Sequence, residues 1–309
     1  MGIYIARRIL WLPVLLTIVT LITFTLGEYG PGDPVEVILG THYNPETAAR
    51  LRHQKGLDRP FYVQYGDYVW KALHGDFGES YKFPGQAVGE LLGRKIWVSA
   101  QLGFAAMVLT VGFGIPLGVL AALAQGTWRD SAIVSATLFF MALPVFITVP
   151  ILLLVFVLKL HWLPSSGWGG LFSPYIIIPA LAMGIPGIAS ITRLMRASTL
   201  DVLGQDFIRT ARAKGLTEFG VQYRHVLRNA MIPIITVLSF AAADLVGGAF
   251  IMETMYGIPG VGRLAVDSIF ARDYPVIMAL TLITATAFVL GNLLADVTYA
   301  IVDPRIRYQ

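Results

Sequence analysis

The chain has 309 residues, of which 56% are hydrophobic and only 14% are charged, and its mean hydropathy is +0.67. A water-soluble protein of this length needs more polar surface to cover its core, and the hydrophobic residues here are gathered into long blocks, so the composition predicts an all-α integral membrane protein. The net charge is a modest +4, and the lack of any cysteine excludes disulfides, thiolate metal ligands and thiol nucleophiles.

Six stretches are long and apolar enough to cross a membrane, for which a helix needs about 20 apolar residues. They cover residues 9–26, 98–123, 133–158, 175–191, 231–252 and 276–301. Arg7 and Arg8 precede the first stretch, as in a secretory signal, but the stretch is long and lacks a small-residue cleavage site. We therefore expect a retained anchor and a single transmembrane domain over 1–309.

The placement of Lys and Arg in the connections predicts the orientation of the helices. With the N-terminus inside, the cytoplasmic segments hold twelve basic residues and the two short outer connections hold three. The other eight lie in the connection 28–95, which is too long for this rule to count. Both termini are therefore expected in the cytoplasm.

The connection 28–95 is predicted to be a large extracytoplasmic loop. It has mixed charge and contains amphipathic material around 60–73, and connections longer than about 15 residues usually have a structure or a function of their own. Two compatible interpretations stay open: a cap that packs on the outer ends of the helices, and a docking surface for an extracytoplasmic partner.

Glycine and proline interrupt three of the predicted spans. These residues are Gly112, Gly114, Pro116 and Gly118 in the second span, Pro144 and Pro150 in the third, and Gly184, Pro186 and Gly187 in the fourth. Such residues kink membrane helices or allow close approach between them. Broken helices suit a protein that opens alternately to either side of the membrane, which favours transport over a static role.

The segment 192–230 is predicted to be cytoplasmic and to contain a short amphipathic helix with a basic face. Apolar residues recur there at helical spacing, at Leu216, Phe219, Tyr223, Val226 and Leu227. Gly215 precedes this stripe, where a chain can turn tightly between two short helices. The pattern fits a helix lying on anionic lipid headgroups, and it also fits a helix presented to a cytoplasmic protein.

Motifs for an energy source or a catalytic centre are missing from the sequence. It contains no G-x-x-x-x-G-K-S/T phosphate-binding loop, no H-E-x-x-H zinc motif and no G-x-S-x-G nucleophile. The chain is therefore predicted not to be an enzyme and to hold no cofactor or metal, so a pump built from it would take its energy from a separate protein.

Two acidic residues fall within predicted spans, Asp244 in the fifth and Asp296 in the sixth. Intramembrane acids are costly and mark either function or buried pairing. Structural pairing, binding of a coupling ion and a protease-like carboxylate pair all stay open for them.

The segment 209–233 resembles the coupling-loop signature of ABC importer permeases. It reads Arg209-Thr210-Ala211-Arg212-Ala213-Lys214-Gly215-Leu216, followed by His225-Val226-Leu227-Arg228-Asn229-Ala230-Met231-Ile232-Pro233. It departs from the general E-A-A-x-x-x-G form at Arg209-Thr210-Ala211 and at Arg228. These departures are typical of the dipeptide/oligopeptide/nickel branch of the family.

Further blocks agree with that branch, and the large outer loop resembles the first, B-type permease subunit. The blocks are Pro31-Gly32-Asp33-Pro34, Gly56-Leu57-Asp58-Arg59-Pro60, Gly75-Asp76-Phe77-Gly78, Glu253-Thr254, Tyr256-Gly257-Ile258-Pro259-Gly260-Val261-Gly262-Arg263, Asp296-Val297-Thr298-Tyr299 and Asp303-Pro304-Arg305. The similarity therefore extends over nearly the whole chain.

The resemblance implies a six-helix permease in a prokaryotic plasma (inner) membrane that transports peptides by alternating access. It also implies a homologous second permease, two cytoplasmic ATPases that bind ATP and magnesium, an extracytoplasmic solute-binding protein, and no nucleic-acid partner. It assigns ATPase coupling to a helix between the fourth and fifth spans, with site residues Ala211, Ala213, Lys214, Gly215, Leu216, Phe219, Tyr223, Arg224 and His225.

Other functions remain as alternatives to peptide import. The same architecture would serve for nickel complexes or oligosaccharides. Asp244 and Asp296 are the best support for an ion-coupled secondary transporter or channel, and an intramembrane hydrolase would have to use the same two acids.

Overall fold

The computed structural model describes residues 2–30, 33–40, 43–245 and 247–302, with the side chains of 2–9, 243–244 and 294–302 excepted. Within these residues the regular structure is helical, and the β contact consists of one isolated bridge between Glu79 and Ala87. The predicted all-α fold is confirmed. Pro31, Gly32 and the Asp303-Pro304-Arg305 block lie outside the described residues.

Fourteen α-helical segments follow one another in the described chain. They are α1 (Gly2–Tyr29), α2 (Pro34–Leu39), α3 (Pro45–Lys55), α4 (Phe61–Leu73), α5 (Val88–Leu123), α6 (Trp128–Ala142), α7 (Val145–Leu152), α8 (Ile177–Leu203), α9 (Asp206–Ala213), α10 (Glu218–Gly220), α11 (Arg228–Asp244), α12 (Phe250–Tyr256), α13 (Val261–Ala271) and α14 (Tyr274–Val302). Wider, π-type turns extend α7 over Leu153–Lys159 and join α10 to α11 over Val221–Leu227.

Five helices of the described chain are long and apolar enough to cross a membrane, and a sixth span exists if the bent pair α6–α7 counts as one. The bend between α6 and α7 is 102°. Pro144 has no backbone N–H, and it drives Leu143 out of the helical region to φ −82°, ψ 113°. The third predicted span is therefore broken near its middle.

Three other predicted boundaries are wrong. The fourth span was predicted over 175–191, but α8 continues to Leu203, into the segment predicted as a cytoplasmic connection. The helix predicted over 231–252 ends at Asp244, and the chain turns at Gly248, which has a left-handed φ of +77°, before α12 begins. The second span was predicted from 98, but α5 begins at Val88. Arg94 and Lys95 lower the local hydropathy without breaking the helix, so the preceding loop is shorter than expected and contains α2, α3 and α4.

By its internal contacts, the chain forms two compact units. The first unit comprises 1–99, 246–254 and 259–290. Its core joins the first turns of α5 to α13 and α14 through Val88, Leu91, Leu92, Val261, Leu264, Ala265, Val276, Ala279 and Leu280.

Two buried carboxylates organise the backbone of this first unit. Glu253 accepts hydrogen bonds from the Ser99 hydroxyl at 2.6 Å and from the N–H groups of Ala249 and Arg263, each at 3.0 Å. The Ser99 oxygen in turn accepts a bond of 2.8 Å from the Val261 N–H. A Cβ atom on Gly260 would lie 2.4 Å from the Glu253 carboxylate, so the glycine of this motif makes room for the acid.

The second carboxylate belongs to Asp273, which is fully buried at the start of α14. It accepts bonds from the Ser80 hydroxyl and from the N–H groups of Tyr81 and Lys82. This acid therefore ties part of the 28–95 segment to the helical core. Burial, and next the charge of Asp273, raise the pKa of Tyr81 to about 12, so its phenol stays neutral at physiological pH.

The second unit comprises 100–245, 255–258 and 291–309, and α8 is central to it. The glycines of α5 and α8 allow these helices to touch closely: a Cβ on Gly118 would lie 2.6 Å from the Thr192 carbonyl, and one on Gly187 would lie 2.4 Å from the Thr110 hydroxyl. Between α8 and α11, a core forms from Ile191, Met195, Ala230 and Ile234. The sequence predicted that these glycines either kink the helices or allow close approach, and at Gly118 and Gly187 the structure shows close approach.

Candidate functional site

The segment 206–227 forms a compact helical corner at one end of the second unit. Helix α9 ends at Ala213, and Gly215 takes a left-handed φ of +77°, with its N–H donating to the Arg212 carbonyl at 2.9 Å. This is the usual glycine ending of a helix. Thr217 then caps the next helix by accepting a hydrogen bond from the Gly220 N–H at 3.3 Å.

One face of this corner packs against the rest of the unit. Ile208 and Ala211 of α9 meet Val221 and Val226 of the following helix, and all four are buried. Val202 and Leu203, at the end of α8, pack against the cluster. The corner therefore has an apolar core of its own.

The other face exposes large apolar side chains. Phe219 is 76% exposed, Tyr223 67% and Leu216 45%. The rings of Phe219 and Tyr223, one helical turn apart, lie parallel with centroids 6.1 Å apart. Exposed apolar groups that are arranged together and rimmed by polar groups mark an interaction site more often than single exposed residues do.

Charged groups surround this apolar face. The Arg212 guanidinium donates to both carboxylate oxygens of Glu218, at 2.8 and 3.3 Å, and so joins α9 to the first turn of the next helix. Arg209 lies 3.5 Å from Asp206 within α9. Lys214 and Arg224 are exposed. The surface is thus an aromatic centre with a basic rim.

The residues predicted for this site do gather at one corner, but they differ in exposure. Ala211 is buried and His225 half-buried, while Ala213, Lys214, Gly215, Leu216, Phe219, Tyr223 and Arg224 are exposed. The prediction of a short, separate helix after Gly215 is wrong, because the helix that begins at Glu218 continues through α11 as one apolar stretch, Glu218–Ala242. Pro233 lies inside this stretch without ending it.

The two intramembrane acids predicted as possible polar sites, Asp244 and Asp296, lie on described helices, but their side chains fall outside the described ones. Among the residues that the structure describes, no group of three or more His, Asp or Glu side chains is arranged to hold a metal ion.

A family model described as "Binding-protein-dependent transport system inner membrane component" matches residues 114–308. The chain belongs to this family. A second model, for the N-terminal part of such membrane components, matches residues 1–91 of the permease. The matched ranges include the helical corner and nearly all of the predicted outer loop.

Named relatives match the permease over almost its full length. It is 38% identical to the oligopeptide transport system permease protein OppB of Escherichia coli and 37% identical to OppB of Haemophilus influenzae, in each case over 99% of both chains. It is also 37% identical to a probable peptide ABC transporter permease protein of Sinorhizobium fredii, over 100% of both chains. The permease is thus a B-type transport subunit.

A solved structure with a related fold is described as the MetNI methionine ABC transporter in inward-facing conformations. The alignment covers 69% of the permease and 96% of that chain, with a TM-score of 0.53 and 18% identity. At this identity the likeness supports the ABC-permease fold alone.

Sequence reasoning did not predict the buried polar pairs of the permease. Asp130, at the start of α6, receives two hydrogen bonds of 2.7 Å from the Arg196 guanidinium and one of 3.1 Å from the Gly126 N–H. Glu253 was noticed only as part of a motif. A signal existed in both cases, namely an acid inside a mainly apolar or glycine-rich stretch, but pairing cannot be read from one sequence.

Proposed function

We propose that this permease forms half of the translocation pathway of an ATP-driven peptide importer in a prokaryotic inner membrane. A homologous second permease completes the pathway, two cytoplasmic ATPases bind ATP and magnesium, and an extracytoplasmic solute-binding protein delivers the solute. The 28–95 segment and both termini take the outer and cytoplasmic positions predicted above. Transport proceeds by alternating access.

The peptide as substrate is supported by the names of the full-length relatives, which refer to peptides and oligopeptides. Nickel complexes and oligosaccharides remain compatible with the architecture, but no feature of the described residues favours them.

The observation that carries the coupling proposal is the exposed, parallel pair of Phe219 and Tyr223 beside basic side chains. Aromatic residues and arginine are enriched among the residues that dominate protein–protein binding. In the proposal, Phe219 enters an apolar groove of an ATPase, while Lys214 and Arg224 pair with acidic groups around that groove. The exposed rings then become buried in the assembly.

The path of the helix supports transmission of movement from this surface. Glu218 and Ala242 belong to one stretch of 25 residues that is apolar enough to span a membrane. The docking end and the membrane-spanning part are therefore the same helix. When ATP binding draws the two ATPases together, a displacement at Phe219 is carried directly into the bundle.

A lipid-surface role is the alternative for this corner, since anionic headgroups also attract basic amphipathic helices. The buried cluster between α9 and the next helix favours a protein partner, because it fixes the angle between the two helices, and the bidentate contact between Arg212 and Glu218 adds to it. A fixed angle matters for a shaped groove and much less for a fluid headgroup layer.

The test is the variant Phe219→Asp in the complete importer, reconstituted in proteoliposomes. A carboxylate desolvated in an apolar groove should weaken docking by about 2 kcal/mol or more, roughly 30-fold in affinity. Peptide uptake and the amount of co-purifying ATPase should both fall, while membrane insertion stays normal. Phe219→Leu, which keeps an apolar side chain, is the matched control and should retain most of the uptake.

Normal uptake by Phe219→Asp would refute the anchoring role. Reduced uptake with unchanged ATPase co-purification would support the lipid-surface alternative. If the wild-type permease purifies in mild detergent without a related permease or an ATPase, the importer proposal itself fails.

A further inference from the structure

Arg193 of α8 carries a cation that has no acidic partner among the described side chains. It is half-buried, its Nη2 atom lies 2.7 Å from the Met141 sulfur, and its Nε atom is buried without a hydrogen-bond partner. In the part of the chain that the structure describes, no carboxylate lies within ion-pair distance of it. A thioether sulfur is only a weak acceptor, so the guanidinium keeps most of its donor capacity unused.

The neighbouring arginine shows how the same helix satisfies such a group. Arg196, three residues further on, donates two bonds of 2.7 Å to Asp130, which is itself buried. This is the bidentate geometry that an arginine and a carboxylate prefer. The two arginines of this helix therefore differ: Arg196 has a carboxylate partner, and Arg193 has none among the described residues.

Arg193 also lies beside the break in the third span. Met141, which its guanidinium contacts, is the residue before the last of α6, and the 102° bend follows at Leu143 and Pro144. Non-helical backbone at membrane depth is tolerated where it is buried in protein or lines a water-filled cavity, and broken helices commonly form the substrate sites of transporters. An ionisable side chain in such a place is a candidate functional group.

We propose that Arg193 is a binding position for a carboxylate of the transported solute, and in particular for the C-terminal carboxylate of a peptide. This inference rests on the proposed function. Every linear peptide with a free C-terminus carries this group, whatever its side chains, so one arginine in the pathway serves peptides of varied sequence. The planar guanidinium offers two parallel donors to it in place of the weak contact with sulfur.

The site lies in the inner half of the proposed pathway. Arg193 is sixteen residues after Ile177, the first residue of α8, which corresponds to about 24 Å along the helix axis. With the N-terminus of α8 at the outer side, the guanidinium is near the cytoplasmic end of the hydrocarbon core. A carboxylate would meet it late in its passage, after release from the binding protein.

The experiment compares uptake of a short peptide with uptake of its C-terminal amide by the complete importer in proteoliposomes. Both compounds are first loaded on the purified solute-binding protein, so that delivery is equal. With Arg193→Gln, uptake of the free peptide should fall about tenfold or more, as expected for loss of a charge-assisted bidentate contact, and uptake of the amide less than about twofold. Arg193→Lys keeps the charge and should restore part of the difference.

Arg196→Gln is the matched control, because it removes an arginine that is already paired inside the chain. It should reduce uptake of the peptide and the amide by the same factor. The proposal is overturned if Arg193→Gln also reduces uptake of the peptide and of the amide by the same factor, which would indicate that Arg193 pairs with an acidic residue of the second permease. It is also overturned if Arg193→Gln changes the uptake of neither compound. Failure of the wild-type complex to transport any peptide would instead refute the proposed function.

Discussion

At the scale of single residues, the permease uses buried carboxylates as acceptors for backbone groups that helices leave without partners. Glu253 is fully buried, yet it accepts hydrogen bonds from the Ser99 hydroxyl and from the N–H groups of Ala249 and Arg263. A carboxyl group can lie in such a place because several donors replace its water shell. Gly260 lies next to this side chain, and a Cβ atom there would collide with the carboxylate.

Replacing Glu253 by Ala should therefore destabilise the permease by about 3 kcal/mol, since the donors at Ser99, Ala249 and Arg263 would lose their acceptor. Glu253→Gln should cost less, because its carbonyl oxygen still accepts. The measurement is the thermal unfolding midpoint in detergent.

Asp267→Asn provides the control, because the Asp267 side chain is about half exposed (47%) and its nearest Arg263 nitrogen is 3.9 Å away. Exposed pairs of this kind contribute between zero and about 1 kcal/mol. Equal midpoints for Glu253→Ala and Asp267→Asn would show that the network does not hold this unit together.

The limits of sequence reasoning are clearest for the residues of the helical corner. Spacing alone predicted that Leu216, Phe219 and Tyr223 would share an apolar stripe with Val226. The structure divides this stripe: Val226 is buried against α9, while the two aromatic rings are exposed. Which side of a stripe is covered depends on the angle between α9 and the next helix, and a one-dimensional period contains no information on that angle.

At the scale of elements, hydropathy predicted where most apolar helices lie, because lipid exposure demands long apolar runs. It did not predict the bend between α6 and α7, since proline produces anything from a slight kink to a complete break. Likewise, the apolar run at 231–252 continues across Gly248, and hydropathy did not predict the turn there. A Cβ at Gly248 would lie 2.6 Å from the Gly262 backbone nitrogen, a contact that one sequence does not reveal.

Contact between α5 and α8 depends on glycine at a defined position. A Cβ on Gly118 would lie 2.6 Å from both the Thr192 carbonyl oxygen and the Met195 Cβ, and neither atom belongs to the mobile end of a side chain. Gly118→Ala should therefore push the helices apart and cost about 1–3 kcal/mol of stability.

On the same helix, Gly112 has no atom within 4 Å of the added Cβ. Gly112→Ala should be neutral or should stabilise the permease by up to about 1 kcal/mol, because alanine favours the helix. Thermal unfolding of both variants tests the pair. If Gly118→Ala is as stable as Gly112→Ala, the close approach of α5 and α8 is not required.

At the scale of the whole molecule, the energy source decides between the importer and an ion-coupled transporter. The sequence contains no phosphate-binding loop, and the helical corner presents a surface suited to a partner. We expect peptide uptake by the assembled complex to require ATP and to be insensitive to a protonophore. The measurement is uptake into proteoliposomes that are supplied with either ATP or an imposed proton gradient.

Uptake driven by the gradient alone would contradict this prediction and would favour an ion-coupling role for Asp244 and Asp296. Neither acid could be assigned a role from sequence, because a carboxylate at membrane depth is compatible both with pairing and with ion binding.

The helical stretch from Glu218 to Ala242 also determines how far a small movement reaches. A helix of 25 residues is about 37 Å long, so a tilt of about 10° at one end shifts the other end by about 6 Å. Pro233 and the wide turns over Val221–Leu227 are the places in this stretch where a bend would reduce that displacement. A modest rotation imposed at the corner is therefore enlarged only as far as the stretch stays straight.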